Sequence, residues 1–276
     1  MTHVSFAEYR AIEAHNWSNG KWILESPLHY RYQLAHPKPS TPSQVAFQAV
    51  HTAVLEPDQF ARRYALCDVR RDKRTAPYQE WLATHPDAAA LNAEEWAACT
   101  GAADAIRAHP KAGPLVAPGE GVEFECSIVW TDEATGFRCK ARLDILRHLP
   151  DRVRVVDLKD VGSTDERHLR LLAEKLLWYG QLAHYCAGAE WRYPGLPVEA
   201  YLLCVESKPP HDVAVLHLNE DGAFAKGREM RASAFARLAE CLESGKWPGR
   251  HEDVIPAPFY GDGDDNETTY TVIEED

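Results

Sequence analysis

The chain has 276 residues, of which 45% are hydrophobic and eight are tryptophan. This length and composition predict a folded protein with one large core and exclude an intrinsically disordered chain. The formal net charge is −12, so binding to a nucleic acid would depend on local basic clusters, such as those at residues 62–63 and 70–74.

The beginning of the sequence does not resemble a signal peptide, and no stretch approaches the roughly 20 apolar residues that span a bilayer. The seven cysteines are scattered and form no C-x-x-C pair. This usage is typical of reduced, packed thiols rather than of a disulfide framework. We therefore expect a cytoplasmic protein without a membrane association.

In chain order, the first 42 residues carry short helical signals, which a proline-rich, loop-like segment at residues 37–42 interrupts. A helix is predicted over residues 44–55 and another over residues 92–108, with Asn92 as its N-cap. A β-meander follows, in which Gly136 supplies the positive φ of a hairpin turn. The predicted strands are residues 123–130, 137–146 and 153–161. The remaining predicted elements are one long amphipathic helix over residues 166–187, strands over 199–205 and 213–218, and a helix over 223–244.

Acidic residues and a lysine occupy the three meander strands. Asp157 and Lys159 are two residues apart on the third strand and therefore project to the same side. Asp144 lies on the preceding strand, and Glu125 lies on the first. Carboxylate oxygens suit Mg²⁺, and a neighbouring lysine can activate a water and offset the charge that develops on a phosphate. The set predicts metal-dependent phosphodiester cleavage.

Two observations refine this hypothesis. The third strand is mostly apolar and is therefore expected at the sheet centre, where an aspartate and a lysine are costly to bury unless they bind a metal or each other. Strand alternation places Glu125 on a face with Glu123 and Ser127, opposite Phe124, Cys126 and Ile128. Glu125 is then either a further ligand or a solvent-facing residue.

Three runs in this region resemble the core of the PD-(D/E)XK nucleases. They are Glu125-Cys-Ser-Ile-Val-Trp130, Cys139-Lys-Ala-Arg-Leu-Asp144 and Val155-Val-Asp-Leu-Lys159. Within that superfamily the sequence resembles the RecE-type exonuclease domain (exonuclease VIII) and its phage and prophage relatives. The early Ser26-Pro27 pair, the helix that carries His51, and the run Trp178-Tyr-Gly-Gln-Leu-Ala-His-Tyr185 agree with this family in the same order.

The resemblance implies an α/β fold with a central mixed β-sheet flanked by helices. Residues 1–255 would form a single nuclease domain with an N-terminal helical part, and residues 256–276 an acidic tail. It also implies a Mg²⁺-dependent exonuclease, with Mn²⁺ as a substitute, that digests one strand of linear double-stranded DNA from 5′ to 3′. The product would be a 3′ single-stranded overhang for a single-strand annealing protein, and relatives form homo-oligomeric rings.

The resemblance also assigns roles to individual residues. His51, Asp144 and Asp157 would be metal ligands, together with the backbone carbonyl of Leu158. Lys159 would be the catalytic lysine, and Glu125 would shape the site or bind a second metal. Gln181 and Tyr185, which are four residues apart on one helix face, would orient the water or contact a phosphate. The sequence departs from the family pattern at Asp160, where a threonine is usual, and at Ala49, where glycine is frequent.

Other functions stay open. One is a different nuclease on the same fold, either an endonuclease or a repair or CRISPR-adaptation enzyme with an iron–sulfur cluster. The cluster enzymes need a C-terminal group of three cysteines, whereas Cys186, Cys204 and Cys241 are far apart. Another is a DNA-binding module without activity, against which the intact Asp144, Asp157 and Lys159 argue. A serine hydrolase is disfavoured because no Gly-x-Ser-x-Gly motif is present.

Overall fold

The computed structural model describes residues 4–37 and 42–255. The acidic tail predicted at residues 256–276 and most of the predicted proline-rich loop lie outside the described residues. The helices are α1 (Phe6–Ala11), α2 (Trp17–Gly20), α3 (Trp22–Glu25), α4 (Pro27–Ala35), α5 (Pro42–Leu55), α6 (Pro57–Arg63), α7 (Ala76–Thr84), α8 (Ala93–Ala108), α9 (Ala112–Val116), α10 (Glu166–Lys175), α11 (Trp178–Arg192) and α12 (Ala223–Ser244).

The strands form two sheets. The strands are β1 (Tyr64–Leu66), β2 (Ala89–Leu91), β3 (Val122–Thr131), β4 (Arg138–His148), β5 (Val153–Val161), β6 (Val198–Glu206) and β7 (Val213–His217). The small parallel pair β1-β2 was not predicted. The main sheet has the order β3-β4-β5-β6-β7. Within this sheet only β5 and β6 run parallel, and α10 and α11 connect them. The predicted mixed sheet flanked by helices is therefore confirmed.

The structure confirms several local predictions. Strand β5 is the middle strand of the main sheet. Gly136 has a φ of 71° in the turn between β3 and β4. The Asn92 side chain accepts a hydrogen bond from the Glu95 amide at 2.8 Å, and the Glu95 carboxylate accepts one from the Asn92 amide. This capping box starts α8 because it satisfies two backbone donors that the first helical turn leaves free.

The prediction of one helix over residues 166–187 is wrong, because the chain forms α10 and α11 there. Leu177 lies between them with a φ of 57°, in the left-handed region. Its side chain is fully buried in the same core cluster as Leu169 of α10 and Leu182 of α11. The turn therefore lets both helices direct their apolar faces into one core, and this burial offsets the cost of left-handed backbone at a leucine.

The main sheet has a hydrophobic core on each side. One core contains Val153 and Val155 of β5 and is covered by α11, α12 and α2–α4. The other contains Val156 and Leu158 of β5 and is covered by α5, α8 and α9. The seven cysteines are buried and free, as predicted. Among the described residues, no helix has both the length and the apolar character that crossing a membrane requires.

Candidate active site

The site begins at an irregularity in the β3-β4 hairpin. Phe124 pairs with Ile145 and Cys126 pairs with Leu143, so Glu125 lies opposite Asp144 between these pairs. Glu125 has a φ of 50°, which is rare for a residue with a side chain. The predicted alternation is therefore wrong here: Phe124 packs in the core beneath α5, whereas Cys126 and Ile128 pack in the core beneath α11.

Strands β4 and β5 separate at the same level. Their backbone pairing ends with Ile145 opposite Val156. Beyond this point the carboxylate of Asp144 accepts a hydrogen bond from the Leu158 amide at 2.7 Å. The Asp144 side chain thus supplies this buried amide with an acceptor in place of a strand partner. The separation therefore opens the sheet and brings Asp144 beside the D-x-K strand.

His51 of α5 lies against the opening between these strands. Its Nε2 is 3.2 Å from the Leu158 carbonyl oxygen, and its Nδ1 is 3.7 Å from the Asp144 carboxylate. One donor atom each from His51, Glu125 and Asp144 lie within 4.8 Å of one another. The sheet and α5 thus bring together two carboxylates and an imidazole from three different elements. His51 is 74 residues before Glu125, and Glu125 is 19 residues before Asp144.

A second chain of contacts starts at Asp157. The Lys159 ammonium lies 2.6 Å from the Asp157 carboxylate and donates to the Gln181 side-chain oxygen at 2.8 Å. The Gln181 amide group donates to the Tyr185 hydroxyl at 2.9 Å. Gln181 and Tyr185 are one turn apart on α11, so the helix presents both to β5. Asp157 thereby pairs with Lys159, and among the described residues its carboxylate is not one of the three grouped donors.

Burial shifts the pKa values of the site. It raises the pKa of Asp144 well above its usual value, and the charges of Asp157 and Glu125 raise it further. Burial also raises the pKa of Asp157, although the Lys159 ammonium acts in the opposite direction. Burial and the Lys159 charge lower the pKa of His51 to about 3. The imidazole is therefore neutral at physiological pH and has a lone pair available for a metal.

The donor set fits a divalent cation. Two carboxylates and one neutral imidazole suit Mg²⁺, Mn²⁺ or Zn²⁺ by the preferences of these ions. The charges of Asp157 and Glu125 raise the pKa of Asp144, and a bound cation would relieve this repulsion. His51, Glu125 and Asp144 would hold such an ion, and Asp157 and the Leu158 carbonyl lie on the adjacent strand.

Two further residues belong to the site, and the sequence predictions assigned them no role. Arg142 binds the Glu125 carboxylate through its Nε at 2.5 Å. The Lys159 ammonium lies 5.4 Å from the centre of the Trp178 ring. Arg142 could have been found from the hairpin, because it is two residues from Asp144 and pairs with Ser127, two residues from Glu125. Trp178 is separated from Lys159 by α10, and no local pattern connects the two.

Neither departure from the family pattern is one of the three clustered ligand candidates. Asp160 follows Lys159 on β5, and its carboxylate accepts a hydrogen bond from the Ser207 hydroxyl. Strand alternation therefore directs Asp160 to the side opposite Lys159. Ala49 is fully buried in the core that α5 covers, two residues before His51.

The open sheet, the D-x-K strand and the flanking helices define a PD-(D/E)XK-type fold. A family model described as "PDDEXK-like domain of unknown function (DUF3799)" matches residues 17–255, and the chain belongs to this family. No curated protein matches the sequence significantly.

One solved structure supports the same fold. A crystal structure described as "Putative exonuclease" from Eubacterium rectale has 13% sequence identity and a TM-score of 0.58, covering 94% of this chain and 97% of that chain. A structure of SSO0001 has 16% identity, covers 42% of this chain and 50% of that chain, and has a TM-score of 0.27, too low to support an argument.

Proposed function

We propose that this protein is a metal-dependent deoxyribonuclease. The observation that carries the proposal is the grouping of His51, Glu125 and Asp144 beside the buried Asp157–Lys159 pair. Structural ion pairs alone do not explain why three potential ligands group together beside a buried Asp–Lys pair, since burying such charges without a ligand is costly. The family and the fold of the exonuclease-like neighbour agree with this function.

The chemistry divides between the two groups of residues. A bound Mg²⁺, or Mn²⁺ in its place, would neutralise phosphate charge and lower the pKa of the attacking water. His51, Glu125 and Asp144 would hold the ion, with Asp157 and the Leu158 carbonyl completing its protein ligands. The Lys159 ammonium would offset the negative charge that develops on the phosphate. Gln181 would orient Lys159 through the 2.8 Å hydrogen bond.

Tyr185 has a separate part in this proposal. Burial, followed by the charges of Asp157 and Asp144, raises its pKa well above the usual value, so its hydroxyl stays protonated. It can therefore donate a hydrogen bond throughout the neutral pH range. In the site it would fix the Gln181 amide or contact a phosphate oxygen.

The substrate we propose is linear double-stranded DNA, digested on one strand from the 5′ end. The expected product is a 3′ single-stranded overhang that a single-strand annealing protein would use in recombination. A homo-oligomeric ring around the DNA would allow many nucleotides to be removed in each encounter. These features rest on the resemblance of the sequence to RecE-type exonucleases.

The test is digestion of linear duplex DNA labelled at either the 5′ or the 3′ ends, with closed circular DNA as control. With Mg²⁺ we expect early loss of the 5′ label, slow loss of the 3′ label and an intact circle. Chelation of the metal should stop the reaction. Nicking of the circle would contradict the exonuclease and favour an endonuclease, and absence of cleavage with every divalent metal would contradict the nuclease.

A further inference from the structure

The N-terminal segment, which we define as residues 4–12, precedes the family-matched region at residues 17–255. It includes α1, a helix without a buried residue of its own. The segment nevertheless lies against β4 at the level of the site. Two cations of that strand, Lys140 and Arg142, contact it.

Lys140 holds the C-terminal end of the segment. Its side chain is buried, and its ammonium donates to the carbonyl oxygens of Tyr9, Arg10 and Ile12 at 3.0, 3.3 and 2.7 Å. These acceptors use the three donors of an ammonium, which offsets the cost of burying the charge. One of them, the Arg10 carbonyl, belongs to the last turn of α1, where a helix leaves carbonyls without helical partners. The Lys140 ammonium and these carbonyls therefore satisfy one another's hydrogen-bonding groups.

Arg142 links the segment to the site. One of its terminal nitrogens, Nη1, donates to the Val4 carbonyl at 3.1 Å and to the Ser127 hydroxyl at 3.4 Å. Its Nε donates to the Glu125 carboxylate at 2.5 Å. The guanidinium thus contacts both the segment and a residue of the candidate metal group. The Arg142 guanidinium also lies 5.9 Å from the centre of the Phe6 ring.

The chain just after the segment is also hydrogen-bonded to β4. His15 forms an isolated parallel bridge with Cys139, through hydrogen bonds of 2.8 Å to Arg138 and Lys140 on either side. These residues belong to the part of β4 that has separated from β5. The N-terminal chain therefore occupies backbone groups that the opening of the sheet leaves available.

We propose that the N-terminal segment is a positioning element of the active site, which acts through Arg142 to hold the Glu125 carboxylate toward His51 and Asp144. This inference rests on the proposed function, because it takes Glu125 as a ligand of the catalytic metal. It goes beyond that function by assigning a role to residues outside the family-matched region.

The physical reason is the orientation of a ligand by its neighbours. A carboxylate on a left-handed backbone at a strand opening has several side-chain rotamers available, and Arg142 selects one by a charge-assisted hydrogen bond. Loss of such an outer partner typically weakens metal binding or activity about 10- to 100-fold. Without the segment, Arg142 loses the Val4 carbonyl and can turn away from Glu125.

The test measures Mn²⁺ affinity by electron paramagnetic resonance in the wild type, a variant lacking residues 1–12, Arg142→Gln, and the combination of both changes. We expect each single change to weaken Mn²⁺ binding about 10- to 100-fold. The combination should be no weaker than Arg142→Gln alone, because the segment acts through that arginine. A merely structural effect of the deletion would add to the effect of the substitution.

A full-length variant covers the case in which the shortened chain does not fold. Lys140→Met removes the ammonium that holds the segment, and we expect the same loss of Mn²⁺ affinity. Lys111→Met removes one positive charge from an exposed position and is the control, with unchanged affinity expected. DNA cleavage is measured in parallel with all variants.

The outcomes separate the inference from the proposed function. If the wild type binds Mn²⁺ and the deletion and Lys140→Met bind it equally well, the inference is overturned and the nuclease stands. If the wild type binds Mn²⁺ but cleaves no DNA, the nuclease is overturned, whereas a loss of affinity in the variants still supports the segment's role. A wild type that binds no Mn²⁺ overturns both.

Discussion

Asp144 accepts the Leu158 amide and also stands among other carboxylates. Its pKa is raised in the folded state, so folding favours the protonated form. The contribution to stability is therefore complete below about pH 3.9, the usual pKa of an unfolded aspartate, and is lost as the pH rises through the raised pKa. At neutral pH without metal, the unfolded chain carries the ionised form that the folded state disfavours, so this aspartate opposes folding.

We accordingly expect Asp144→Asn to stabilise the metal-free protein at pH 7. The amide can still accept from Leu158 but carries no charge, and the gain should be on the order of 1 kcal/mol, or about 2–4 °C in melting temperature. Thermal unfolding with and without Mg²⁺ measures it. The wild type should be stabilised by Mg²⁺, and the variant much less. A variant that melts lower without metal would contradict the electrostatic account.

His51 gives a second prediction at this scale. Because its pKa is about 3, the imidazole is neutral and able to bind a metal above that pH. His51→Gln should raise the Mg²⁺ concentration for half-maximal cleavage about 10- to 100-fold. His36→Gln, at an exposed position on the end of α4, is the control and should leave the requirement unchanged. An unchanged requirement in His51→Gln would remove the histidine from the metal site.

At the scale of elements, the sequence predicts most where local pattern decides the conformation. The apolar run of β5 predicted a central strand, and the two-residue spacing predicted that Asp157 and Lys159 would project to the same side. The spacing of Gln181 and Tyr185 predicted their shared helix face. These relations depend on backbone periodicity alone, and the structure has each of them.

The sequence predicts less where the conformation depends on packing between residues that are far apart in the chain. The left-handed backbone at Glu125 depends on the hairpin register and on the separation of β4 from β5. The break at Leu177 depends on a core to which α10 and α11 both contribute. The docking of the N-terminal segment depends on Lys140 and Arg142, which are about 130 residues further along the chain. No pattern within a short window contains this information.

The Leu177 break can be tested directly. Its side chain is fully buried and orients α11, which carries Gln181 and Tyr185. Leu177→Ala should lower the free energy of unfolding by about 2–5 kcal/mol, as for other buried leucines. Leu171→Ala, on the exposed side of α10, should change it by less than about 0.5 kcal/mol. Urea titration gives both values, and equal losses would contradict the assigned packing.

At the scale of the whole molecule, the charge distribution is the main constraint on a DNA substrate. The net charge is −12, and several basic residues of the predicted clusters form ion pairs. The pairs are Arg63–Glu56, Arg71–Glu95 and Arg74–Asp72. If the protein acts on DNA as proposed, binding would have to come from a limited set of local phosphate contacts around the site rather than from a general positive field.

Local contacts of this kind predict a strong dependence on salt. For about four phosphate contacts, the affinity for duplex DNA should fall roughly 100-fold between 50 and 200 mM salt. Fluorescence anisotropy with a labelled duplex measures the slope in Ca²⁺, without cleavage. An affinity that is independent of salt would indicate that DNA is not the ligand.

The most direct test of the central claim is the rate at which acid-soluble nucleotides are released from linear duplex DNA at saturating Mg²⁺. The wild type should release them, and Lys159→Met should be about 100- to 10,000-fold slower, because it lacks the charge beside Asp157. Lys175→Met, an exposed lysine of α10, should match the wild type. Release that persists without metal, or Lys159→Met with nearly wild-type activity, would contradict the account.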